Sequence, residues 1–112
     1  MSNLTERTFH GRFTFYDVGL GACGKHSKAT DYIVALNSHQ YGGGYPGPNC
    51  FRPIHITFGG KSADAVIMDL CPECPYGSLD LSRSLFDHFA NEGEGVVYGQ
   101  WWFTDEHQGN YF

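Results

Sequence analysis

The chain has 112 residues, a formal net charge of -5, 41% hydrophobic and 16% aromatic residues, 15 glycines and 4 cysteines. That is enough for one core and too little for two, and the acidic balance excludes the basic patch that nucleic acid or an anionic membrane surface requires. No run approaches the roughly 18 apolar residues of a spanning helix, and the many glycines beside only 17% charged residues point to short strands joined by turns.

Residues 1–9 read as an N-terminal tail, 10–107 as the folded domain and 108–112 as a C-terminal tail. The first tail has neither the basic start nor the apolar run of a signal peptide, so a secreted form would already have lost one. Its sequon Asn3-Leu4-Thr5 is too common a triplet to carry weight. The first predicted strand is His10–Tyr16, whose alternation puts Thr14 and Tyr16 on one face and Phe13 and Phe15 on the other. A glycine-rich connection, Val18–Gly24, carries Cys23, and Tyr32–Leu36 is a short apolar run of buried-strand type. Tyr41–Cys50 is predicted as an exposed loop displaying Tyr41 and Tyr45. Arg52–Phe58 reads as the third strand, Gly59-Gly60-Lys61 as a hairpin turn and Ala63–Asp69 as the fourth strand.

The stretch Asp69–Ser82 concentrates two carboxylates, two cysteines and a forced turn between that strand and a helix predicted at about 82–91, with Ser82 or Asp80 as its N-cap. Val96–Phe103 is the last strand, in which Trp101 and Trp102 face opposite sides. One helix among five or six strands implies a mainly antiparallel or mixed β-barrel.

Asp69, at a strand end beside apolar neighbours, reads equally as an acid with a raised pKa or as a turn-capping aspartate. Asp80, just ahead of a helix, reads first as a cap. The cysteines do not form a zinc site, because Cys71 and Cys74 have no second spaced ligand pair. Pro75-Tyr76-Gly77 directly after Cys74 removes the helix start that a redox pair uses. Two structural disulfides remain, with three possible connectivities. The histidines show no ligand spacing, and Gly19-x-Gly21 lacks the rest of a nucleotide fingerprint, so neither metal nor cofactor is expected.

Taken in order, the residues Phe13-Thr14-Phe15-Tyr16, Gly21-Ala22-Cys23-Gly24, Asn49-Cys50, Val66-x-x-Asp69-x-Cys71-Pro72-x-Cys74 and Gly77-x-Leu79-Asp80-Leu81-Ser82 form an ordered set. With a helix and Gly95-Val96-Val97 after it, the set resembles the double-psi β-barrel domain of expansins, barwins and rare lipoprotein A-like proteins. The small single-domain fungal loosenins are the nearest in kind. The resemblance implies a mainly β, six-stranded double-psi barrel with one short packed helix. It also implies a secreted, monomeric, expansin-like protein that binds cellulose, chitin or a related β-linked cell-wall glycan and loosens it without hydrolysis.

Thr14, Tyr16, Asp69 and Asp80 are the implied groove residues. Tyr41, Tyr45, Tyr76 and Trp101 are expected to stack on sugar faces around them. By analogy Cys23 pairs with Cys50, leaving Cys71 with Cys74. One departure is Cys71 itself, which stands where some bacterial expansins carry a groove aromatic. A second concerns hydrolysis, which needs two carboxyl groups across the bond. Related barrel endoglucanases take their base two residues beyond the first-strand tyrosine, and here that position is Val18. Asp17 is one step out of phase, so Asp69 is expected to lack a catalytic companion. Two alternatives accompany this reading: a weak lytic glycosidase or transglycosylase using one acid, and a protein-binding barrel that inhibits cysteine proteases or acts in defence.

Overall fold

The computed structural model describes residues 7–106; the sequon, the predicted C-terminal tail and His107 lie outside them. The elements run β1 (Phe9–Tyr16), β2 (Ile33–Asn37), α1 (Ser38–Tyr41), β3 (Pro53–Phe58), β4 (Lys61–Cys71), β5 (Leu79–Ser82), α2 (Arg83–Phe89), a 3-10 turn (Glu92–Glu94) and β6 (Val97–Phe103). The strands close into a barrel in the order β1-β5-β2-β4-β3-β6. β1 with β5 and β2 with β4 are parallel, and the other neighbours are antiparallel. This is the mainly β, six-stranded double-psi barrel.

Period-two alternation fills the interior. Phe13, Ile54, Ile56, Ile67, Leu79, Leu81 and Trp101 are all fully buried, each contributing about 1.5–3 kcal/mol of transfer free energy. α2 closes one side with Leu85, Phe86 and Phe89. Arg83 at its start lies 4.8 Å above the Phe15 ring and bonds Asp17 and Glu92, which holds Asp17 on the outside of the barrel. Gly11 and Gly77 let β1 and the β4–β5 connection touch backbone to backbone. A Cβ on either would collide with the other segment's carbonyl, and Gly77 has φ +86° besides.

Three expectations are corrected. Leu79–Ser82 is a strand rather than the approach to a helix, so Asp80 is a strand residue and not a cap. Ser82 takes the N-cap position without a side-chain cap bond, because its hydroxyl donates to the Asp31 carbonyl at 2.6 Å. Trp101, expected beside sugar, belongs to the core. β6 turns Val97, Trp101 and Phe103 inward, and the Trp101 indole N–H donates to the Gly77 carbonyl at 2.9 Å. Tyr41, expected on an exposed loop, is 1% exposed at the end of a four-residue helix. The loop folds back over it, and the Gly47 N–H donates to its hydroxyl at 3.2 Å.

Candidate functional site

The site follows from the register of three adjacent strands. Ala35 of β2 is paired with Asp69 of β4 on one side and with Asp80 of β5 on the other. Cross-strand partners point to the same face, so the two aspartates flank the small Ala35 side chain. Their Cα atoms are about 9–10 Å apart at two inter-strand spacings. Ala35 is the one small residue in Ile33-Val34-Ala35-Leu36, and it is 2% exposed, covered by Tyr16 and the Cys71–Cys74 bridge.

Asp69 is held by three donors. Its Oδ1 accepts from the Ala22 N–H at 2.7 Å and the Leu70 N–H at 2.8 Å, and its Oδ2 accepts from the Tyr16 hydroxyl at 3.1 Å. The Ala22 contact depends on Gly21, since a Cβ there would run into the Met68 carbonyl. The Gly21-Ala22-Cys23 segment is therefore laid against β4, where the Cys23 N–H also reaches the Met68 carbonyl at 3.3 Å. Cys23 is bonded to Cys50 and Cys71 to Cys74, which selects one of the three connectivities.

The second disulfide shapes the site directly. Cys71, Cys74 and Ala35 form a small buried cluster against which Tyr16 packs. A cystine thus occupies the position two residues beyond Asp69, and the ring resting on it comes from β1. Burial, and then the neighbouring Asp69 carboxylate, push the Tyr16 phenol far above its ordinary value, so it stays a proton donor.

Asp80 differs. Its Oδ1 accepts from the Thr14 hydroxyl at 2.8 Å, across the Thr14–Asp80 register of β1 and β5. Desolvation raises its pKa above the usual carboxylate value against the opposing Thr14 bond, with Glu73 and Asp69 adding to the rise and Arg12 opposing it. The site therefore contains one carboxyl group held by three donors and one held by a single hydroxyl. Asp80, expected beside Asp69, faces it across Ala35, and Asp17 is turned away to Arg83.

The structure brings Thr14, Tyr16, Asp69 and Asp80 together, all partly buried. Tyr45 is 74% exposed, its ring 6.2 Å from that of Tyr41, on the loop between α1 and β3. Tyr76 is 61% exposed and meets Phe9 edge-on at 6.2 Å, at the start of β1, whereas Tyr16 ends that strand. Ala35 and the Ala22 N–H are site members that residue type alone does not reveal. Ala22 falls within a quoted motif, and Ala35 becomes visible only through the pairing of β2. Among the described residues no group of three His, Cys, Asp or Glu side chains is placed to hold a metal ion.

No known family model matches the chain. It is 36% identical over 78 residues to an allergen homologue of Arthroderma benhamiae, an alignment covering 68% of this chain and 27% of that protein. It is 31% identical over 99 residues to the papain inhibitor of Streptomyces mobaraensis, covering 82% of this chain and 68% of the inhibitor. The chain belongs to the family of that papain inhibitor. The solved structure of a Streptomyces papain inhibitor overlays with a TM-score of 0.79 at 30% identity, covering 87% of this chain and 94% of that one. The chain also matches an expansin variant of Clavibacter michiganensis solved in complex with cellohexaose. The TM-score there is 0.78 at 25% identity, over 88% of this chain and 50% of the expansin. The chain thus spans about a quarter of the allergen relative and half of the expansin.

Proposed function

We propose that this papain-inhibitor-family barrel is a loosenin-like protein that binds a strand of β-linked polysaccharide, cellulose or chitin or a related glycan, in the groove between Asp69 and Asp80. In this reading it loosens the network without cutting it. The observation that carries the proposal is the pair of differently held carboxyl groups on either side of Ala35. Asp69 Oδ2, with Tyr16 already donating to it, offers its remaining lone pair to a sugar hydroxyl, and Asp80, whose Oδ1 is taken by Thr14, offers its other carboxyl oxygen to a second one. Together they replace hydrogen bonds that glycan strands otherwise make with one another. The cellohexaose complex of the related expansin supports a glycan as the ligand class, and two disulfides support an oxidising, extracellular setting.

Hydrolysis asks more of the pair. A second carboxylate must act as nucleophile or activate a water, and Asp69 is taken up by three donors with the Tyr16 phenol packed beside it. The test is a pull-down on insoluble cellulose and chitin with the supernatant assayed for reducing ends. Binding without released ends is the expected result, and new reducing ends that vanish in Asp80→Asn would replace this reading with the lytic one.

A second reading, cysteine-protease inhibition, is favoured by the 31% identity to a papain inhibitor. The contact surface would be the loop carrying Tyr45, propped by the buried Tyr41. Loss of papain activity at equimolar barrel, relieved by Tyr45→Ala, would support it; full papain activity in excess barrel would remove it.

A further inference from the structure

The carboxylate groove does not account for the opposite flank of β1. There a recess of about 700 Å³ is lined by His10, Thr57, Lys61, Ser62, Tyr98 and Gln100, among others. It is formed by the outward faces of β1 and β6 and by the β3–β4 turn. Tyr98, 70% exposed, stands in it as a ring with both polar and apolar company. Three observations join this recess to the groove.

The outward residues of β1 are His10, Arg12, Thr14 and Tyr16, because Phe9 and Phe13 point inward. The last two of these outward residues hold Asp80 and Asp69. The register of β1 with β6 then places Arg12 beside Tyr98 and His10 beside Gln100. Finally, Arg12 stands two residues before Thr14, the register partner of Asp80, and so shares its face of β1. Along the strand these residues run about 20 Å from Tyr16 to His10 at 3.3 Å per residue. That is longer than the Asp69–Asp80 pair itself.

Isolated exposed aromatics are ordinary on a protein surface. Tyr98 differs in lying within a recess whose other side chains are a second aromatic ring, Phe58, and around it an amide, two hydroxyls, an imidazole and an ammonium. An aromatic platform rimmed by hydrogen-bonding groups is suited to a sugar ring with its equatorial hydroxyls.

We propose that the Tyr98 recess is a second glycan subsite, continuous with the groove across Arg12, so that one polysaccharide strand is gripped at Asp69 and Asp80 and stacked on Tyr98 further along. The inference rests on the polysaccharide reading and adds to it a length requirement. A short oligosaccharide fills the groove alone, and a longer one reaches Tyr98.

The test compares Tyr98→Ala and Asp69→Asn with the unaltered protein. Binding of cellotriose, cellohexaose, chitotriose and chitohexaose is followed by calorimetry, and the melting temperature of each variant serves as a folding control. For whichever hexamer the unaltered protein binds, Tyr98→Ala is expected to weaken binding about tenfold, equivalent to about 1.4 kcal/mol. The corresponding trimer should change by less than about twofold on the same scale, whereas Asp69→Asn weakens both lengths. Equal effects of Tyr98→Ala on trimer and hexamer, or none on either, would overturn the subsite and leave the groove reading standing. An unaltered protein that binds none of the four sugars overturns both.

Discussion

Replacing Asp69 in two ways separates its two duties. In Asp69→Ala the N–H groups of Ala22 and Leu70 lose their acceptor, and the Tyr16 hydroxyl loses its own. An unpaired N–H away from water costs about 1–3 kcal/mol. With both groups only partly buried, the sum is about 2–4 kcal/mol. For a domain of this size that is a fall in melting temperature of about 10–20 °C. In Asp69→Asn the remaining carbonyl oxygen still accepts from both N–H groups. The amide nitrogen faces the Tyr16 oxygen, which can accept from it, so the loss should stay below about 1 kcal/mol.

Sugar binding should respond differently, because both substitutions remove the acceptor oxygen that faces the groove. Scanning calorimetry on the two variants, with a cellulose and chitin pull-down on the same samples, reads out both duties. The expected pattern is a stable, non-binding Asn variant and a destabilised, non-binding Ala variant. An Asn variant that melts as low as the Ala variant would make Asp69 a brace alone. An Asn variant that still binds would remove it from the site.

Asp80 gives a pH signature. Its folded-state pKa lies above the ordinary aspartate value of 3.8, chiefly through desolvation, so between that value and its folded pKa the folded protein binds more protons than the unfolded chain. Stability therefore falls as pH rises through that window. Asp80→Asn should melt higher than the unaltered protein at neutral pH, with the difference closing on acidification toward 3.8; a constant difference across thermal melts would contradict the assignment. Ala35→Val adds bulk to a floor that is 2% exposed and already packed by Tyr16 and the cystine, so it should cost about 1–3 kcal/mol in thermal melts and abolish binding. Retained binding would show that the strand does not pass over Ala35. Removing the Cys23–Cys50 bridge by a double Ser substitution opens a loop with a sequence separation of 27. By loop-closure entropy it should lower stability by about 3–4 kcal/mol in denaturant titration, and an unchanged midpoint would contradict that estimate.

Much of the barrel is legible in the sequence because its longer strands alternate cleanly, as in Phe13-Thr14-Phe15-Tyr16, and are bounded by glycine turns such as Gly59-Gly60. β5 is not, because Leu79-Asp80-Leu81-Ser82 is only four residues long and Leu81 also fits the helical spacing to Leu85. Local periodicity cannot choose between the two; the choice is made by pairing with β1 and β2, far away in sequence. The same limit hides Ala35, whose importance comes from sitting opposite both aspartates. It also hides the fate of Tyr41, since a glycine-rich run announces a loop without saying which ring the loop folds over. Alternation at Trp101-Trp102 requires one ring inside and one outside, but only the register of β6 against β1 and β3 decides that Trp101 goes in. The acidic side chains were identifiable by type and motif. Their opposing environments arise from donors on β1 and the Gly21–Cys23 connection, together with Asp69's own neighbour Leu70.

The most direct measurement of the central claim is release of soluble reducing ends, together with protein uptake and mechanical weakening, on one sample of cellulose and one of chitin. The account predicts uptake and weakening of at least one of them with no reducing ends above the protein-free control, and loss of both effects in Asp69→Asn. Reducing ends that accumulate with time and disappear in Asp80→Asn would contradict it, because the two carboxyl groups would then be cutting the strand they are proposed only to hold.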